Sequence, residues 1–152
     1  MRVPYVPSHS PTPLPLSGGG FVLPRPIVSV RITGPSNDYL TDCLLDPGAD
    51  WTVFERPVAS QIGLDLAQAQ VRTVQLVGRK PFSCSYAQVL LRITDGISET
   101  YEWPSIVGFV PFALRRPLLG YAGFLQFFDA DFHGGDQEVF LTPNRFFPGR
   151  RT

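Results

Sequence analysis

Histidine and cysteine are scarce in this chain of 152 residues, two of each, and that scarcity removes several kinds of chemistry. A serine or cysteine hydrolase needs a base beside its nucleophile. His9 lies in a proline-rich stretch and His133 beside a glycine turn, so neither is placed to activate Ser83 or Cys84. A metal centre needs His, Cys, Asp or Glu clustered at ligand spacing; none is seen, and neither a metal nor a cofactor is expected. Cys43 and Cys84 sit inside alternating apolar segments, where free cysteine behaves as a small hydrophobe, and no disulfide is expected. An excess of either charge is also missing. The 13 basic and 13 acidic residues cancel and are scattered, which argues against nucleic acid or an anionic membrane as partner. No stretch has the apolar length needed to span a bilayer, and the opening Met1-Arg2-Val3-Pro4 lacks the apolar run of a secretory signal, so a cytoplasmic protein is expected.

What the chain does have is proline, glycine and short alternating segments. The length suits one domain with a buried core. Residues 1–22 carry Pro4, Pro7, Pro11, Pro13 and Pro15, then Gly18-Gly19-Gly20, and read as a flexible tail. The domain is expected over 23–142, followed by a short basic tail, 143–152, that is only solvated. Val28, Val30 and Ile32 alternate with Ser29 and Arg31, and Gly34 to Asp38 supplies a turn. Leu40 to Asp46 is the returning strand, with Thr41, Cys43 and Leu45 on one face. Pro57, with Val58 and Ile62 four apart and Gly63 as a stop, predicts one short helix. Val71 to Val77 and the run through Ala87, Val89, Leu91 and Ile93 predict a long hairpin with its tip at Gly78 to Pro81. Tyr101, Trp103, Ser105, Val107 and Phe109 form one face of a further strand. A last strand pair is predicted around the turn Gly134-Gly135, and its second strand, Val139 to Leu141, is a candidate to join a dimer sheet. Many short strands and one helix argue for an all-β, closed or nearly closed architecture.

One carboxylate stands out. Asp46 ends an apolar strand and is followed at once by Pro47-Gly48-Ala49, a tight corner in which proline fixes its own φ. On those residues alone Asp-Pro-Gly is first of all an ordinary turn. The longer run from Leu44 to Phe54, Leu-Leu-Asp-Pro-Gly-Ala-Asp-Trp-Thr-Val-Phe, resembles the active-site segment of retropepsin-like aspartic proteases, in which two apolar residues precede Asp-Thr/Ser-Gly-Ala and Thr-Val follows. In the same order, Arg25-Pro26 with the strand through Ile32 resembles the start of the viral enzymes. Pro117-Leu118-Leu119-Gly120 resembles the apolar-apolar-Gly segment that braces the active-site loop, and Gly120 to Phe132 is similar to the closing part of bacterial members.

The resemblance covers roughly Leu23 to Leu141 and implies an acid-protease barrel with a flap hairpin and one or two short helices. It implies that Asp46 is catalytic in an active-site loop with Pro47, Gly48 and Ala49, and that Thr52, Leu119 and Gly120 brace that loop. Asp50 falls where the family binds substrate backbone, Arg25 where a viral arginine pairs across the dimer, and Gly78 at the flap tip. For Asp50 an exposed loop charge, and for Arg25 a solvated arginine, are the plain alternatives. Trp51, Phe82 and Trp103 are candidates for pocket walls, though aromatic residues of a β domain are more often core. Asp129 and Asp131 alternate with apolar residues and are read as structural or surface residues. With a single Asp-x-Gly-Ala segment, the implied enzyme is a homodimer that hydrolyses peptide bonds. Two departures stand against the pattern. Pro47 replaces the usual Thr or Ser and supplies neither hydroxyl nor N–H, so the alternative is a catalytically silent dimerisation or peptide-binding module. Tyr121 stands where the viral segment has an arginine, which removes the implied partner of Asp50.

Overall fold

The computed structural model describes residues 1–15, 20–75 and 80–151. In chain order its strands are β1 (Arg2–Pro4), β2 (Val6–His9), β3 (Val22–Arg25), β4 (Ile27–Thr33), β5 (Asp38–Leu45) and β6 (Val53–Glu55). The helix α1 (Arg56–Gln61) follows, then β7 (Gln70–Val74), β8 (Phe82–Thr94), β9 (Thr100–Val110), β10 (Leu118–Leu119), β11 (Phe128–His133), β12 (Glu138–Pro143) and β13 (Arg150–Arg151). A single 3-10 turn, Leu125–Phe127, precedes β11.

The molecule is all-β, and its centre is a closed barrel of six strands in the order β9-β6-β10-β5-β4-β8, shut by the β8–β9 pairing. The period-two alternation of the sequence explains which side faces in. On β9, Tyr101, Trp103, Ser105, Val107 and Phe109 are all buried; on β4 and β5 the inward residues are Val30, Ile32, Cys43 and Leu45. Phe54, Leu91, Ile93 and Leu119 belong to the same core. At one side of this core, Trp103, Phe124, Phe128 and Phe147 pack edge to face, tilted or stacked, with ring centroids 5.0 to 5.7 Å apart. The helix sits where Pro57 predicts it. It buries Val58 and Ala59 and stops at Gly63, whose φ of 71° suits glycine.

The hairpin β7–β8 projects from the barrel with Val74 opposite Phe82; Gly78, at the expected tip, lies outside the described residues. Cys43 and Cys84 are both free and buried.

Three sequence expectations need correction. The segment read as a flexible tail, 1–22, carries β1 and β2. β1 pairs with β12 and β2 with β3, so these backbone groups find partners supplied by distant parts of the chain rather than by local pattern. The segment 143–152 is likewise tied down: Phe147 joins the aromatic cluster and β13 pairs with the edge of β9. Finally, β12 is the middle strand of the sheet β1-β12-β11, so both of its edges are filled and it has none left to join a partner's sheet.

Candidate active site around Asp46

The chain leaves β5 at Leu45, turns through residues 46–52 and returns as β6, and the two-residue strand β10 slots between those two strands. Leu118 and Leu119 run parallel to Leu44 and Leu45. The loop therefore straddles the segment from Pro117 to Ala122. Asp46 donates its N–H to the Leu119 carbonyl at 3.0 Å, Tyr121 and Ala122 donate to the Ala49 and Asp50 carbonyls at 2.8 and 2.9 Å, and Thr52 donates to Ala122 at 2.8 Å.

Within the loop, the Ala49 N–H reaches the Asp46 carbonyl at 3.1 Å, closing a four-residue turn with Pro47 in its second position, where proline is favoured. The Gly48 N–H donates to Asp46 Oδ1 at 3.0 Å. One carboxylate oxygen is thus fixed by the backbone while the side chain as a whole stays half-buried. Such a group can accept a proton, orient a water, or share a proton with a second carboxylate.

Bracing is dense behind the loop. A Cβ on Gly120 would lie 2.5 Å from the Trp51 carbonyl oxygen and 2.6 Å from that of Ala49, so the two segments meet backbone to backbone only because residue 120 has no side chain. Thr52 is fully buried, takes the Gly108 N–H on its carbonyl at 2.9 Å, and leaves its hydroxyl without a partner among the described residues. Trp103 Nε1 and Ser105 Oγ both donate to the Gly123 carbonyl, at 3.2 and 2.8 Å. These two braces were not singled out as such; the signal for them was their place on the inward face of β9 together with the Gly120–Gly123 pair.

The structure brings Thr52, Leu119 and Gly120 together with Asp46, Pro47, Gly48 and Ala49. Asp50 is exposed beside them. Arg25 is half-buried just ahead of Pro26, whose carbonyl takes the Leu45 N–H at 2.9 Å. Trp51 meets Tyr86 edge to face at 4.6 Å and lines a groove of about 410 Å³ with Ile106 and Gln126. Phe82 packs on Phe112 at 4.8 Å, and Trp103 is wholly core. Asp129 and Asp131 lie on β11, away from the loop's own strands. Burial pushes the Cys84 thiol up and the Tyr86 hydroxyl up to about 12, so neither ionises near neutral pH. His9 and His133 lie on β2 and β11, not on the strand that carries Ser83 and Cys84.

Missed altogether was a wall beside the loop. Arg115 and Arg116, with Arg25, Leu44, Leu114 and Leu118, enclose a cavity of about 260 Å³. No protein-family model matches the chain, and no curated protein matches it.

Proposed function

We propose that this chain is one protomer of a retropepsin-like aspartic endopeptidase, with Asp46 as its catalytic carboxylate. The observation that carries this reading is the held carboxylate. Asp46 leaves a barrel strand into a tight turn, its Oδ1 accepts the Gly48 N–H at 3.0 Å, and its backbone is bonded to Leu119. A water-activating site of this kind needs a second carboxylate close by, because two such groups share one proton and divide the roles of base and acid. The chain has one Asp-x-Gly-Ala segment, so the second is Asp46 of another copy across a two-fold axis.

In the resulting site the shared proton and one ionised oxygen hold a water. The ionised carboxylate takes the water's proton as its oxygen attacks the peptide carbonyl, and the protonated partner donates to the carbonyl oxygen. The gem-diol then collapses: the carboxyl that took the water's proton gives it to the amide nitrogen, the C–N bond breaks, a gem-diol hydroxyl returns its proton to the partner carboxylate, and no covalent acyl intermediate forms. The β7–β8 hairpin serves as the flap over a peptide bound in extended form. Asp50 contacts the substrate backbone and Arg25 reaches the partner protomer. Gly48 keeps the loop free of a side chain where the peptide main chain approaches.

A second reading is favoured by Pro47, which offers no N–H or hydroxyl to tie two such loops together. In that reading the fold is kept for dimerisation or peptide binding without hydrolysis. Cleavage of a mixed peptide library from acidic to neutral pH, with Asp46→Asn alongside, decides between them. The protease reading expects cuts that Asp46→Asn abolishes while melting as the wild type does. Cuts that persist in Asp46→Asn, or none from a folded dimer, defeat it.

A further inference from the structure

The cavity missed by the sequence reading is lined by the end of the strand that leads into Asp46 and by the strand paired with it. Leu44, the second-last residue of β5, precedes Asp46 by two residues, about 6.6 Å along an extended chain, and Leu118 pairs with Leu44. Both leucines line the cavity, with Leu114. Its polar lining is Ser8 and three cations, Arg25, Arg115 and Arg116. These cations are poorly compensated. Arg115 donates to neutral acceptors, the His9 carbonyl at 2.6 Å and Ser8 Oγ at 3.5 Å. Arg116 pairs only loosely, with Asp42 Oδ2 at 3.9 Å, while Asp42 Oδ1 accepts the Ser29 hydroxyl at 2.6 Å. Arg25 has no carboxylate within ion-pair distance in the protomer among the described residues, but in the proposed dimer it reaches the partner, which leaves Arg115 and Arg116 as the free cations. Glu55, near Arg115 and Arg116 in the adjoining depression, is engaged by the Leu114 N–H at 2.7 Å. A lining of leucines beside arginines fits a short methylene stem ending in a carboxylate, because arginine binds carboxylates through paired, charge-assisted hydrogen bonds.

We infer that this cavity receives an acidic side chain of the substrate, glutamate ahead of aspartate, at a position flanking the scissile bond. The inference rests on the reading of Asp46 as the reacting carboxylate, and it makes Arg115 and Arg116 determinants of specificity. Glutamate is favoured because its extra methylene covers Leu44 and Leu118 while its carboxylate still reaches the arginines.

Two measurements separate this from the protease reading itself. In the first, wild-type protein cleaves peptides identical except for Glu, Asp, Gln or Lys next to the cut. Glu is expected to exceed Gln by about tenfold in kcat/KM, as one charge-assisted hydrogen bond allows, with Lys the poorest. Added salt shrinks the ratio. Arg116→Met and Arg115→Met bring the Glu-to-Gln ratio toward one, and Arg116→Lys retains part of it; thermal melts report whether each variant is folded. In the second, Asp46→Asn protein is titrated with short extended peptides carrying a single Glu or Gln moved along the sequence. Tighter binding of Glu at one position supports the cavity whether or not the wild type hydrolyses anything. Asp46-dependent cleavage that treats Glu and Gln alike, or favours Lys, overturns the inference and leaves the protease standing. Equal binding of the Glu and Gln series overturns it even if no cleavage is found.

Discussion

Position 47 shows how a residue can suit its local geometry and still work against a site. Proline is at home in the second place of the turn from Asp46 to Ala49, because its φ is already set for it. In the proposed dimer, what it gives up lies outside the protomer: a threonine there would have a hydroxyl and an N–H to offer to the facing loop. Pro47→Thr therefore has two effects of opposite sign. The protomer loses the rigidity of proline, a fall of about 0.4–1 kcal/mol in unfolding free energy. The pair of loops gains two reciprocal hydrogen bonds at about 1 kcal/mol each, tightening dimerisation by roughly 30-fold. Denaturant unfolding at low concentration reads the first, and sedimentation with turnover reads the second, which is expected to rise. A dimer no tighter than the wild type refutes the account of Pro47. Asp46 was legible at this scale because strand, carboxylate and turn residues are contiguous. Arg115 and Arg116 were not, because what gives them meaning is the distant Leu44 and Arg25 brought to them by β10 and Pro26.

Among the elements, β10 is the shortest of the barrel strands and the one on which the Asp46 loop depends. Its exit at Gly120 tolerates no Cβ, since the atoms it would meet are backbone of residues 49 and 51 rather than a movable side chain. Gly120→Ala is expected to cost about 3 kcal/mol, the upper range for overpacking a filled site, measured by denaturant unfolding. A cost below 1 kcal/mol would show that the loop yields easily. The β8–β9 hairpin supplies a pH-dependent case. Asp95 Oδ1 accepts the N–H groups of Ile97, Ser98 and Glu99 at 2.9 to 3.0 Å. These bonds, that from Glu99 foremost, lower its pKa from 3.8 to about 2. The unfolded chain takes up the proton first as pH falls, so the stabilisation is complete above the ordinary value of 3.8 and is lost as pH drops through about 2. Melting temperatures of wild type and Asp95→Ala should differ at pH 5 and converge toward pH 2; a constant gap contradicts the assignment. Strands β4, β8 and β9 were readable because one face is core and the other solvent. β1 and β2 were not, because their partners lie at β12 and β3 and their prolines, Pro4 and Pro7, break any alternation.

For the whole molecule, barrel closure follows from the run of short alternating strands, and the all-β class was legible for that reason. The assembly was less so, because its candidate strand β12 is already flanked on both edges within the protomer. Two-fold pairing by strand addition would therefore use another edge, such as those of β1, β11, β13 or β7, rather than β12. The functional consequence can be tested without knowing the interface. If each site takes one Asp46 from each chain, wild-type and Asp46→Asn chains refolded together in equal amounts form wild-type pairs in only about one quarter of the dimers, as random two-fold pairing requires. Mixed dimers hold a single carboxylate and cannot divide the roles of base and acid. Activity per total chain is expected to fall to about one quarter of the all-wild-type value. A chain that works alone keeps about half, because the variant then merely dilutes it; that result would place the second acidic group within the same chain and remove the need for a partner.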